Sequence, residues 1–126
     1  MLNDPRPKTI ICDIDGTLIH HYGDICNQHH KEESPFRPLV LPGTLEKIRE
    51  WDKKGYKIIL LTGRKESTRA ATETQLDKLE IIYDQLVMGV TGGERVLIND
   101  LKPNKSDPTA TAINLPRNEG IGNIDV

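Results

Sequence analysis

Two apolar runs, Thr9-Ile10-Ile11-Cys12 and Ile58-Ile59-Leu60-Leu61, do not alternate with polar residues, and each ends abruptly in a short polar sequence. Continuous apolar segments of this length belong to strands covered on both faces, as in a parallel sheet, because a half-buried strand shows polar residues at every second position. The pattern predicts strands over Lys8–Ile14 and Lys57–Leu61. A helical pattern lies between them: Leu41-Pro42-Gly43-Thr44 resembles a helix start, Leu45, Ile48 and Trp51 recur at helical spacing, and Gly55 supplies a stop. Strand, helix and strand in that order predict an α/β fold built on a parallel sheet.

The remainder of the chain extends this reading. A second helix is expected over about 66–80, with Ala71, Leu76 and Leu79 as a weaker stripe. Asp84–Met88 is a third expected strand and Arg95–Ile98 a fourth, running into Asn99-Asp100. The Gly-rich segment between these two is too short for a helical crossover, which leaves a hairpin or an extended crossing. Thr109–Leu115 is a candidate last strand, and the segment from Asn118 to Gly122 reads as irregular. Residues 19–40 hold four histidines, two prolines and mixed charge without a period, and read as a flap inserted after the first strand. At 126 residues the chain is expected to form a single domain over 1–126.

Charged residues make up 29% and the formal net charge is -2, so no basic field advertises nucleic acid or a membrane surface. The residues before Lys8 lack the apolar core of a signal peptide, and the expected location is cytoplasmic. Cys12 and Cys26 suggest no disulfide framework. His20, His21, His29 and His30, with Cys26 between them, invite a zinc reading, but their spacing is not that of a finger.

Three expected strands end in polar residues: Asp13-Ile14-Asp15-Gly16-Thr17-Leu18 after the first, Thr62-Gly63-Arg64 after the second, and Asn99-Asp100 after the fourth. Ligands of open α/β sheets bind outside the carboxyl ends of the strands, so these segments are expected to converge. Asp13 and Asp15 are two apart and share one side of the strand. One carboxylate of such a pair accepts a phosphoryl group. A separately held one transfers the proton that a leaving alkoxide needs. Charge neutralisation on the phosphate calls for Mg²⁺, which binds through few carboxylates and the phosphate oxygens. Thr62 offers a hydroxyl donor, Gly63 admits backbone N–H groups to an anion, and Arg64 is a candidate fork for a substrate phosphate or carboxylate.

Taken in order, the Asp-x-Asp-Gly-Thr-Leu motif, the strand ending in Thr-Gly and the later strand ending in an acidic residue resemble the haloacid dehalogenase superfamily of phosphohydrolases. The resemblance implies a Rossmann-like parallel sheet flanked by helices. It makes Asp13 the nucleophile of an aspartyl-phosphate intermediate, Asp15 the acid/base, Thr62 a phosphoryl-oxygen ligand, and Asp13, Asp15 and Asp100 the Mg²⁺ site. The superfamily's usual lysine before the last acidic motif is absent from Met88–Glu94, which nominates Lys102 as the replacement cation. Asn99 stands where some relatives carry a second aspartate.

Neither inter-motif gap holds a folded cap, so the chain resembles the capless type, whose open sites accept large substrates or are closed by a neighbouring subunit. A homo-oligomer is compatible with that. The expected activity is Mg²⁺-dependent hydrolysis of a small phosphorylated metabolite, such as a sugar phosphate or polysaccharide precursor, with His or Arg37 of the flap near the leaving group. A polynucleotide 3′-phosphate is the alternative substrate, disfavoured by net charge. A catalytically weak or receiver-like phosphate-binding domain is the alternative to an enzyme. The receiver order does not match Gly16-Thr17 directly after the Asp pair.

Overall fold

A computed structural model describes residues 5–103 and 109–126. Strand β1 (Thr9–Asp13) leads through the flap, which contains a short 3-10 helix at Ile25–His30, to helix α1 (Thr44–Lys53). Strand β2 (Lys57–Leu61), a single 3-10 turn at Glu66–Thr68, helix α2 (Arg69–Lys78) and strand β3 (Gln85–Val87) follow. The three strands form one parallel sheet in the order β1-β2-β3. The register puts Asp13 level with Leu61, and Leu61 level with Val87, so all three strands stop along one edge. Functional side chains therefore collect there.

Helix α1 buries Ile48 and Trp51, the stripe read from the sequence, against a core that includes Cys12, Ile14, Leu18, Ile58, Leu60 and Leu86. Helix α2 differs from its expected stripe. Its inner positions are Thr72, Gln75, Leu76 and Leu79, at helical spacing, while Ala71 faces out. Two of the four are polar because they serve a buried guanidinium, described below.

Alternate strand residues Cys12, Ile58, Leu60 and Leu86 are buried, whereas Ile11, on the opposite side of the sheet, is 51% exposed. One face is thus open, contrary to the expectation of strands covered on both faces. The expected fourth strand over Arg95–Ile98 is also absent from the sheet, and Ile98 is 90% exposed. Chain reach explains it. Main-chain bonds from Gly89 to the Arg64 carbonyl (2.8 Å) and from Val90 to the Thr62 carbonyl (3.1 Å) hold this segment at the strand ends. The four residues from Thr91 to Glu94 span at most about 14 Å. A new parallel strand beside β1 requires a return of about 17 Å along the sheet and, from the end of β3, about 14 Å across it. Thr109–Leu115, the other candidate strand, is irregular.

The segment from Leu115 to Val126 runs from the turn after β1, past Pro42, to the opposite edge of the sheet, where the Val126 oxygen accepts from Tyr56 OH (2.9 Å). Ile121 is buried and its N–H donates to the Pro42 carbonyl (3.2 Å), while the Asn118 N–H donates to the Gly16 carbonyl (2.8 Å). Contact at Pro42 is close enough that a Cβ on Gly120, whose φ is +88°, would lie 2.3 Å from the Pro42 oxygen.

Candidate active site

Asp15 sits one residue beyond the buried Ile14 and points inward, with 4% of its side chain exposed. Its Oδ1 accepts from Arg64 Nη2 (2.7 Å) and Gln28 Nε2 (2.9 Å), and its Oδ2 accepts from Arg64 Nε (3.0 Å) and Thr62 Oγ1 (3.3 Å). The fork matches the carboxylate at both oxygens, the geometry in which an arginine pair is strongest. The third Arg64 nitrogen, Nη1, donates to Gln75 Oε1 (2.5 Å) and Thr72 Oγ1 (3.3 Å). Gln75 Nε2 in turn donates to the carbonyls of Gln28 and Lys31, both at 2.8 Å. The ring Asp15–Arg64–Gln75–Gln28–Asp15 closes, and it ties β1, the β2 exit, α2 and the flap to one another.

This network revises two sequence expectations. Arg64 is 1% exposed and committed to Asp15, so it is an internal positioning group and not a surface fork for substrate. The Thr62 hydroxyl, fully buried, donates to Asp15 and accepts from the Arg64 N–H (3.1 Å), so its one proton is aimed away from an incoming phosphate. Gly63, between them, is exposed at the strand edge, with the Val90 oxygen 3.2 Å from where a Cβ would stand. Its N–H makes no hydrogen bond with a described residue, which leaves it available to an anion.

Asp13, two residues before Asp15, is half-buried, with 32% of its side chain exposed. Arg95 Nη1 donates to its Oδ1 at 3.2 Å, and the Thr17 hydroxyl lies 3.5 Å from its Oδ2. Burial pushes the Asp13 carboxyl above its ordinary value; the Arg95 charge and hydrogen bond oppose this, and the Asp15 charge adds to it. The neighbouring Cys12 thiol is pushed up to about 12, first by burial and then by the Asp13 charge. Arg95 is the cation the sequence reading missed. Lys102, its nominee, is exposed and lies 3.8 Å from Asp100 Oδ2. The only sequence signal for Arg95 was its place at the end of the Gly-rich segment.

Asp100 is itself exposed, paired with Lys102, and among the described residues no group of three or more His, Cys, Asp or Glu side chains is placed to hold a metal ion. The three-aspartate set is therefore not assembled in this fold. A Mg²⁺ ion at this edge would be held by the Asp13 carboxylate and, as the superfamily resemblance implies, by the Asp15 main-chain carbonyl, a hard set that leaves room for waters and phosphate oxygens. Of the flap histidines, His20 stacks on the ring of Tyr22 at 4.3 Å, the rings of His29 and His30 lie 3.9 Å apart at a tilt of 44°, and His21 Nδ1 accepts from the Gly23 N–H. Arg37 lies over the ring of Tyr22 at 4.6 Å.

The polynucleotide kinase PNKP phosphatase domain family matches residues 7–96. Two solved structures of a Pnkp1/Rnl/Hen1 complex, one described as an RNA repair complex, contain similar chains. One is 37% identical over 71% of this chain, with a TM-score of 0.53. The other is 33% identical over 71%, with a TM-score of 0.51. This chain spans 28% and 30% of their lengths. A Vibrio cholerae protein of solved structure shares the fold at 22% identity, covering 73% of this chain and 79% of its own, with a TM-score of 0.52. No curated protein matches the sequence. With the Asp-x-Asp-Gly-Thr motif at the end of β1 and a family match over most of its length, the chain belongs to the polynucleotide kinase PNKP phosphatase domain family, within the haloacid dehalogenase superfamily of phosphohydrolases.

Proposed function

We propose that this domain hydrolyses a terminal phosphate, with the 3′-phosphate end of a polynucleotide as substrate and Asp13 as nucleophile. The observation that carries the reading is the contrast between the two aspartates. Asp13 is half-exposed at the strand edge with a guanidinium on one oxygen, whereas Asp15 is buried with both oxygens engaged. Asp13 is thus the carboxylate that a phosphate can reach. Its Oδ2, the oxygen not held by Arg95, attacks phosphorus, the bond to the leaving oxygen breaks, and Arg95 and the Gly63 N–H lie beside the charge that develops.

Asp15 takes the acid/base role once one of its oxygens is released by its donors, Arg64 with Gln28 or Thr62: it gives a proton to the leaving oxygen, then takes one from the water that cleaves the aspartyl-phosphate to free phosphate and regenerate Asp13. Mg²⁺, when bound through Asp13 and the Asp15 carbonyl, neutralises phosphoryl oxygens. The uncapped strand edge suits a polymer end, and the family match and the RNA repair relatives support that substrate class. The net charge of -2 favours a small sugar phosphate as the second reading.

Phosphate release from a 3′-phosphorylated oligonucleotide, compared with a sugar-phosphate panel, decides between them. A kcat/KM at least tenfold higher for the oligonucleotide is expected, and a higher value for a sugar phosphate overturns the substrate assignment. Asp13→Asn is expected to abolish turnover on every substrate. Retained activity removes Asp13 as the nucleophile.

A further inference from the structure

Three guanidiniums surround the first motif, and two have carboxylate partners: Arg64 holds Asp15 and Arg95 holds Asp13. The third, Arg117, is exposed and makes no hydrogen bond or ion pair with a described residue. Its side chain nevertheless has a defined seat. A Cβ built on Gly16 would meet Arg117 Cγ at 3.2 Å and Nε at 3.8 Å, so the arginine lies across the bare backbone of the turn that follows Asp15. Gly16 has a φ of +88°, and the same missing side chain that permits this conformation leaves room for Arg117.

The backbone presenting Arg117 is pinned on its far side. The Asn118 N–H donates to the Gly16 carbonyl (2.8 Å), the His21 N–H donates to Asn118 Oδ1 (2.7 Å), and Asn118 Nδ2 donates to the His21 carbonyl (3.2 Å). Asn118 itself is left-handed, with φ of +65°, a conformation tolerated by asparagine and here held by those three bonds. A long cation without an ionic partner among the described residues thus lies across the motif, over the residue that follows Asp15.

We propose that Arg117 binds a second phosphate of the substrate, one carried by the leaving group. The inference rests on the phosphatase reading above and deepens it. When phosphorus is at Asp13, the leaving oxygen is on the Asp15 side, so groups attached to it extend over Gly16 toward Arg117. A guanidinium there forms paired charge-assisted bonds with a phosphodiester or a second phosphomonoester. The phosphodiester of a polynucleotide and the second phosphate of a sugar bisphosphate present the same chemistry.

The test compares the wild-type protein with Arg117→Ala and Arg117→Gln, on a 3′-phosphorylated dinucleotide, a hexose bisphosphate and p-nitrophenyl phosphate. The readout is the ratio of kcat/KM for each doubly phosphorylated compound to that for the aryl phosphate. A fall of about tenfold or more in that ratio, carried by KM, is expected for at least one compound, with partial recovery in Arg117→Lys. The compound that responds identifies the source of the second phosphate. A ratio preserved within twofold for both overturns the proposal.

Binding of a labelled 3′-phosphorylated dinucleotide to Asp13→Asn, with and without Arg117→Ala, separates the two readings. Affinity that depends on Arg117 in a protein whose wild type hydrolyses nothing supports the subsite and sinks the hydrolase assignment. Affinity indifferent to Arg117 sinks the subsite.

Discussion

Arg64 grips Asp15 through two parallel hydrogen bonds, Nε to Oδ2 at 3.0 Å and Nη2 to Oδ1 at 2.7 Å, with both side chains almost wholly out of water. The residue that the motif presents as an acid is thereby also a structural anchor, and the flap is anchored with it through Gln28 and Gln75.

Removing one partner of such a pair leaves a buried charge without compensation. Arg64→Ala is expected to lower unfolding stability by about 3–5 kcal/mol. Asp15→Asn combined with Arg64→Gln, which neutralises both sides, is expected to recover part of that loss. Urea denaturation of the three proteins checks both statements, and an Arg64→Ala loss below about 1 kcal/mol contradicts the burial argument.

Arg95, not Lys102, faces Asp13. Arg95→Ala is expected to reduce kcat by about 100-fold, the scale seen when a preorganised donor at a developing charge is removed. Lys102→Ala, which alters an exposed pair with Asp100, is expected to stay within about threefold of wild type. Steady-state kinetics on one phosphomonoester rank the two, and the reverse order rejects the assignment.

Helix α2 ends in strain that is simple to relieve. Glu80 follows the last residues of the helix with φ of +62°, and among the described residues its ionic partner is the exposed Arg49 at 3.9 Å. Non-glycine residues in this region cost about 1–2 kcal/mol, and glycine removes most of that. Glu80→Gly is expected to raise stability by roughly 0.5–1 kcal/mol, which thermal melts will show as a higher midpoint.

The two thiols differ in environment. Cys12 is buried in β1 with its thiol pushed up to about 12, so almost none of it is thiolate near pH 8, whereas Cys26 is exposed in the flap. An aromatic disulfide reagent is expected to titrate one thiol quickly under native conditions and the second only after denaturation. Loss of the fast phase in Cys26→Ser identifies it.

Local features of the chain were read correctly where their cause was local. The uninterrupted apolar runs became β1 and β2, the Ile48–Trp51 spacing became the buried face of α1, and Asp13 and Asp15 emerged together at a strand end. The inner face of α2 was misjudged because Thr72 and Gln75 are buried for the sake of Arg64, and no hydrophobic period reports a polar residue with that task.

The pairings at the site were not legible at all. Asp13 meets Arg95 across 82 positions of sequence and Asp15 meets Arg64 across 49, distances over which no helical or strand period carries information. By itself the sequence determined the chemistry on offer: two aspartates, a glycine turn, and apolar strands to present them along one edge. The tertiary structure decided which arginine is buried beneath Asp15, which stands at Asp13, and that Arg95–Ile98 stays outside the sheet. Those outcomes depend on chain reach and on the cost of burying an unpaired charge, and both are properties of the folded chain as a whole.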